Sequence, residues 1–160
     1  RLMQLARAEG AQVTIPVAHD LRVVLQLVVD DFRRTEHTHA VLSMPNEAVL
    51  SDVDPDAIAI VARNLIENAV RHGSDAKVTV NVSHDGWLTV ENDCAAVPAE
   101  MLSALSDRFM RGEHDSEGSG LGLAIVQKIA ERTASPLQFV SPLPNQTRGF
   151  RVSIQLGRHT

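Results

Sequence analysis

Two segments of the chain carry side chains whose types and spacing point at phosphate chemistry. In the first, Asn64, Asn68 and His72 recur at four-residue steps, flanked by Glu67 and Arg71. On a helix each member of such a line is rotated only about 40° from the last, so the three form one polar stripe. Asparagine is a middling helix former, and two in one helix interior need a reason. Alone, such a stripe is more often a solvated face. The sharper alternative is an amide carbonyl oxygen offered to Mg²⁺, with Arg71 and His72 near enough to meet phosphate. In the second segment, Gly118-Ser119-Gly120-Leu121-Gly122-Leu123 opens a run of helical pattern. Alternating glycines let a backbone approach a bulky anion, and a helix N-terminus presents free N–H groups and the favourable end of its dipole. The segment is not a Walker A loop, because no Lys-Ser/Thr follows, and no clear strand leads into it as a dinucleotide fingerprint requires. The plainer alternative is that these glycines only permit tight packing or a hinge.

The elements that must position these residues follow from periodicity. Asp54-Pro55-Asp56 is a helix start, with a capping Asp and Pro at the first helical position. The helix then carries Ile58, Val61, Leu65 and Ala69 on its apolar face and stops near His72, with Gly73 as terminator. Upstream, Leu21, Val24, Val28 and Phe32 predict a helix from Asp20 to about Arg34. A short extended stretch from Val13 to Ile15 stops at Pro16, and Arg1 to Glu9 reads as the tail of a helix ended by Gly10. Ala40–Met44 and Ala48–Leu50 read as strands about a Pro45-Asn46 turn. Val78, Val80 and Val82, then Leu88 and Val90, predict a hairpin through His84-Asp85-Gly86. A short helical piece spans Glu100 to Leu105. Arg111 to Gly120 holds three glycines and no apolar anchor, so it is expected to be mobile. Leu121, Ile125, Ile129 and Ala130 define a last helix before Pro136, and Leu137–Val140 and Phe150–Leu156 close the chain as strands. Strands and helices mix without strict alternation. The expected fold is a two-layer α/β sandwich, with a mixed, mostly antiparallel sheet of about five strands on about three helices.

Composition narrows the function classes. The 160 residues are 44% hydrophobic and 22% charged, as in a globular domain with a real core. Fifteen Lys+Arg against twenty Asp+Glu leave a formal charge of −5, which disfavours broad adhesion to nucleic acid or anionic lipid. Aromatic residues make up 3%, with no Tyr, so the core must be Val, Leu, Ile and Ala, and a base-stacking platform is missing. The single cysteine, Cys94, excludes an internal disulfide framework and points to a reducing compartment. The longest apolar run, Val23 to Val29, is broken by Gln26 and falls far short of the roughly 18 residues of a membrane span. The chain begins with Arg1 and no signal-peptide pattern follows, so it reads as a piece of a longer protein.

Taken in order, Asn64–His72 (N-L-I-E-N-A-V-R-H), Arg108–Gly112 (R-F-M-R-G) and Gly118–Val126 (G-S-G-L-G-L-A-I-V) resemble the N-box, F-box and second glycine box of sensor histidine kinase catalytic domains. These belong to the wider ATP-binding group shared with gyrase B, HSP90 and MutL, and the resemblance spans about residues 10 to 157. It implies a Bergerat-type ATP-binding domain over residues 10–160, preceded at 1–9 by the end of a dimerisation helix. Asn68 would supply the Mg²⁺-coordinating carbonyl with Asn64 in support, and Glu67 would assist phosphoryl transfer. Arg71 and His72 would contact nucleotide phosphate or ribose. Gly118, Ser119, Gly120, Leu121, Gly122 and Leu123 would wrap the phosphates, and Phe109 and Arg111 would sit at the base of a lid. The implied ligands are ATP, ADP and Mg²⁺. The implied partners are a helical phosphoacceptor domain of the same protein and a response regulator, in a cytoplasmic domain of an inner-membrane-anchored bacterial sensor. Such a fragment would be monomeric and its parent a homodimer.

One box departs from that pattern. The family's first glycine box reads Asp-x-Gly-x-Gly, its Asp accepting from the adenine amine. Aligned through Val97-Pro98, this chain has Asn92-Asp93-Cys94-Ala95-Ala96. Asn92 can still accept through its carbonyl but lacks the strengthening charge, so weaker or atypical adenine binding is expected. Asp93 could substitute only by a one-residue shift, and strand alternation would turn it to the other face. His19-Asp20-Leu21-Arg22 resembles the start of a phosphoacceptor box, but Val23-Val24 follows where Thr-Pro should stand, and it lies too near the N-box. His37 and His39 could chelate a metal but lack an acidic or Cys partner nearby in sequence, so a surface role is expected. Cys94 and Trp87 read as packing residues.

Overall fold

The computed structural model describes residues 14–35, 38–74, 77–110 and 123–157. The described elements are β1 (Thr14–Asp20), α1 (Leu21–Thr35), β2 (His39–Ser43), β3 (Leu50–Val53), α2 (Pro55–His72), β4 (Lys77–Val82), β5 (Trp87–Ala95), α3 (Ala99–Met110), α4 (Ala124–Arg132), β6 (Leu137–Val140) and β7 (Arg148–Gln155). Five strands form a mixed sheet in the order β2-β4-β5-β7-β6, antiparallel except for the parallel pair β2–β4. Helices α1 and α2 pack on each other and on this sheet, and α4 packs against α2. The two-layer α/β sandwich is therefore as expected.

Periodicity explains most of the layering. Leu21, Leu25, Val28, Val29 and Phe32 of α1 are buried together with Ile58, Val61 and Leu65 of α2 and Ile125, Val126 and Ile129 of α4. Against them lie the inward-facing positions of the sheet, Val78, Val80 and Val82, Leu88 and Val90, and Val152 and Ile154. In the β4–β5 hairpin the Ser83 N–H donates to the Trp87 carbonyl at 3.0 Å, and Gly86 turns the chain with φ at 87°. The α2 cap forms as its sequence predicts: Asp54 accepts from the Asp56 N–H at 2.8 Å, and Pro55 opens the helix. The helix stops at Gly73 in extended backbone, so glycine's left-handed freedom plays no part there.

Three expectations need correction. The strand expected to stop at Pro16 runs through it to Asp20, and Pro16 falls in an irregular stretch between the Thr14–Val53 and His19–Ser51 pairings. A residue lacking an N–H is tolerated where ladder pairing lapses. Ala40–Met44 and Ala48–Leu50 do not form a hairpin about Pro45-Asn46. Arg22 donates to both the Pro45 and Asn46 carbonyls, at 3.1 and 2.7 Å, and holds that connection to the start of α1. The second strand begins at Leu50, because the Val49 carbonyl accepts from the Leu21 N–H at 2.9 Å and its N–H goes to Asp20 at 3.1 Å. β3 then pairs with β1 in a separate two-stranded sheet. Finally, α3 is longer than the Glu100–Leu105 piece, bringing the described helices to four. The helical reading of Arg1–Glu9 lies outside the described residues.

Candidate functional site

Helix α2 presents its two asparagines to the interior. Asn64 and Asn68 are 4% and 3% exposed, among Ile58, Val61, Leu65 and Ala69, so the stripe is not a solvated face. Asn64 donates its amide to the Ile60 carbonyl at 2.8 Å, one turn back on its own helix. The Asn68 carbonyl oxygen Oδ1 is buried without a hydrogen-bond partner. Such an orphaned acceptor costs about 1–3 kcal/mol, and a native structure that keeps one usually keeps it for a ligand, ion or water. Hard divalent cations take oxygen ligands of this type, so the donor fits Mg²⁺. His72, at the end of the stripe, is exposed.

Glu67 and Arg71 leave α2 on another flank. With Phe32, Thr38, Arg63 and Val70 they line a cavity of about 290 Å³ where α1 and α2 meet the residue just before β2. Arg63 is held there by Asp31 at 3.2 Å and by stacking over the Phe32 ring at 5.5 Å. Its hydrogen bond keeps the Asp31 carboxyl below the usual carboxylate range. The N-box residues thus divide between an interior wall (Asn64, Asn68) and an adjoining pocket (Glu67, Arg71).

Asn92 is 5% exposed on the helix-facing side of β5, between Val78 of β4 and Phe150 of β7. Asp93 points to the opposite face, exposed, and pairs with Arg148 at 3.0 Å. A one-residue shift therefore cannot bring Asp93 inward. Its backbone serves instead: the Asp93 carbonyl accepts from the Ser74 N–H at 2.7 Å, while Arg148 also donates to Ser74 Oγ at 2.7 Å. This triangle ties the end of α2 to the strand bearing Asn92. Its partners lie 55 and 74 residues from Arg148, so no local sequence signal reveals them. Thr38 and Arg63, which complete the flanking pocket, were likewise missed.

Arg111, Gly118, Ser119, Gly120, Leu121 and Gly122 lie outside the described residues, as does the side chain of Phe109 on α3. Leu123 is fully buried at the N-cap of α4, and no side chain caps that helix. His19 donates its Nε2–H to the Val53 carbonyl at 2.7 Å, a bond that joins β1 to β3. His39 is exposed at the start of β2, and His37 lies outside the described residues. Cys94 and Trp87 are partly buried, Cys94 against the core.

Residues 53–159 match the family of histidine kinase-, DNA gyrase B-, and HSP90-like ATPases. The chain belongs to this family. The sensor protein QseC of Escherichia coli K12 is 31% identical to this chain over 147 residues, covering 87% of this chain and 32% of that protein. The chain spans about a third of the length of the curated relatives it matches first. Among solved structures, the histidine kinase domain of the E. coli osmosensor EnvZ superposes with a TM-score of 0.68 at 24% identity, covering 94% of this chain and 93% of that one. Full-length ShkA in complex with AMPPNP superposes at 0.67 with 19% identity, covering 99% and 35%. These likenesses establish the fold; the family match embraces α2, β5 and α4 together.

Proposed function

We propose that this chain is the ATP-binding kinase domain of a two-component sensor. It donates the γ-phosphoryl of Mg-ATP to a histidine on a separate dimerisation domain, from which the phosphoryl passes to an aspartate of a response regulator. The observation that carries the reading is the buried, unpartnered Asn68 carbonyl within the segment matched to the ATPase family. The named sensor relatives and the AMPPNP-bound fold neighbour support it. Asn68, with Asn64 beside it, would hold Mg²⁺, and that ion supplies charge neutralisation for the triphosphate when bound. The uncapped start of α4 and the 118–122 glycines would give backbone N–H groups to the phosphates. Arg71 and His72 would meet phosphate or ribose. Phe109 and Arg111 would close the lid base.

Phosphoryl transfer breaks the bond between the γ-phosphorus and its bridging oxygen and forms a phosphorus–nitrogen bond on the acceptor imidazole, releasing ADP. Glu67 would take up the imidazole proton, and its open pocket beside Arg71 gives the acceptor a way in. The domain would occupy residues 10–160, in the cytoplasm below an inner-membrane anchor, in a homodimeric parent. The test is γ-labelled Mg-ATP given to this chain joined to a helical phosphoacceptor module. Acid-labile, base-stable phosphohistidine is expected, and Glu67→Gln should slow its formation about 10²-fold or more. No phosphohistidine despite nucleotide binding would leave only a conformational or docking module. Steady hydrolysis without an acceptor would favour a gyrase-like ATPase.

A further inference from the structure

Asn92 is the one polar side chain at its level of the sheet's inner face among the described residues. The inward positions next to it on β4, β5 and β7 are Val78, Val90 and Phe150, all buried and apolar. The neighbouring carboxylates of Glu91 and Asp93 are half-buried or exposed and neutralised by Arg151 and Arg148. Among the described residues of the sheet, hydrogen bonding at this level of the inner face therefore belongs to Asn92. Its one described bond is Nδ2 to the Asp93 carbonyl at 3.5 Å, the outer limit for such a contact, so little holds the amide in one orientation.

A carboxylate at this position could only accept, and would repel a carbonyl oxygen brought against it in a dry site. A primary amide carries both an acceptor oxygen and two donor hydrogens, without charge. Turned one way it receives an exocyclic amine; turned the other it donates to an exocyclic oxygen.

We infer that the base site of this chain accepts 6-oxo purine nucleotides as well as adenine nucleotides, with Asn92 as the residue that sets this breadth. The inference rests on the reading of Asn92 as the contact to the purine's 6-position. Equilibrium titration of the chain with Mg-ADP and Mg-IDP tests it, because the two bases differ at that edge. Wild-type affinities should agree within about tenfold, the span expected of two neutral hydrogen bonds. Asn92→Asp should separate them by about a hundredfold, tightening ADP and weakening IDP. Should that buried charge prevent folding, Asn92→Ala is expected to weaken both nucleotides by a similar factor. Rejection of IDP by more than about a hundredfold in the wild type overturns the inference while leaving the nucleotide site intact. So does an Asn92→Ala variant with both affinities unchanged. Binding of neither nucleotide overturns the site reading itself, and this inference with it.

Discussion

An asparagine one turn from another in a buried helix face gives up helix propensity and apolar packing together. In α2 the spacing was legible as a stripe, and the family pattern named Asn68, but burial was not. Polar residues at helical spacing look the same on paper whether they face water or core. The division of Glu67 and Arg71 from Asn64 and Asn68 was equally hidden, because the flanking pocket is completed by Phe32 and Thr38 from distant segments. Asp20 gives a prediction at this scale. The Arg22 side-chain hydrogen bonds, opposed by partial burial and helped by the N–H groups of Val49 and Arg22, hold its carboxyl down at about 2. A folded-state value below the unfolded one means the ionised group stabilises the fold above about pH 4, and that contribution is lost as pH falls through 2. Discounted for the solvent around this pair, about a quarter exposed, it is worth about 1–2 kcal/mol. Urea denaturation of Asp20→Asn should show this loss at pH 7 and a shrinking difference from wild type below pH 4.

Among the elements, the α2 cap and the β4–β5 hairpin were readable because their signals are local: Asp54-Pro55 in one, alternating valines and Asp85-Gly86 in the other. The β2–β3 hairpin failed for the opposite reason. Its turn residues are real, but Arg22, more than twenty positions earlier, decides where the chain goes. The hairpin also bears a load its sequence does not announce. The Gly86 carbonyl accepts from the Leu156 and Gly157 N–H groups at 2.9 and 3.2 Å, joining the β4–β5 turn to the end of β7. A Cβ at Gly86 would stand 2.1 Å from the Gly157 Cα, in addition to the strain of its positive φ. Gly86→Ala should therefore destabilise the fold by more than about 2 kcal/mol. Chemical denaturation would show it, and Gly86→Asn, which tolerates the dihedral but not the collision, should do no better.

At the scale of the whole molecule, the fold class followed from composition and the mixture of elements. A core of Val, Leu, Ile and Ala, with Phe32 and Phe150, fills the space between the five-stranded sheet and the described helices. What did not follow was the second sheet. β1 and β3 are joined to the main body by such bonds as Ser51 Oγ to the Leu156 carbonyl at 2.6 Å, across 105 residues. Nor did the Asp93–Arg148–Ser74 tie that fixes α2 against β5. Both are long-range contacts between residues that look unremarkable in sequence.

The account turns on the Asn68 carbonyl as a metal ligand, and a nucleotide titration with and without Mg²⁺ addresses it directly. The wild-type chain should bind ADP more tightly with Mg²⁺ than in EDTA. Asn68→Ala should lower the Mg²⁺-dependent affinity at least about tenfold, toward the EDTA value. Its folding stability should not fall by more than about 1 kcal/mol, since relief of the orphaned oxygen offsets the lost packing of the amide. An Asn68→Ala chain that keeps the full magnesium enhancement would contradict the account.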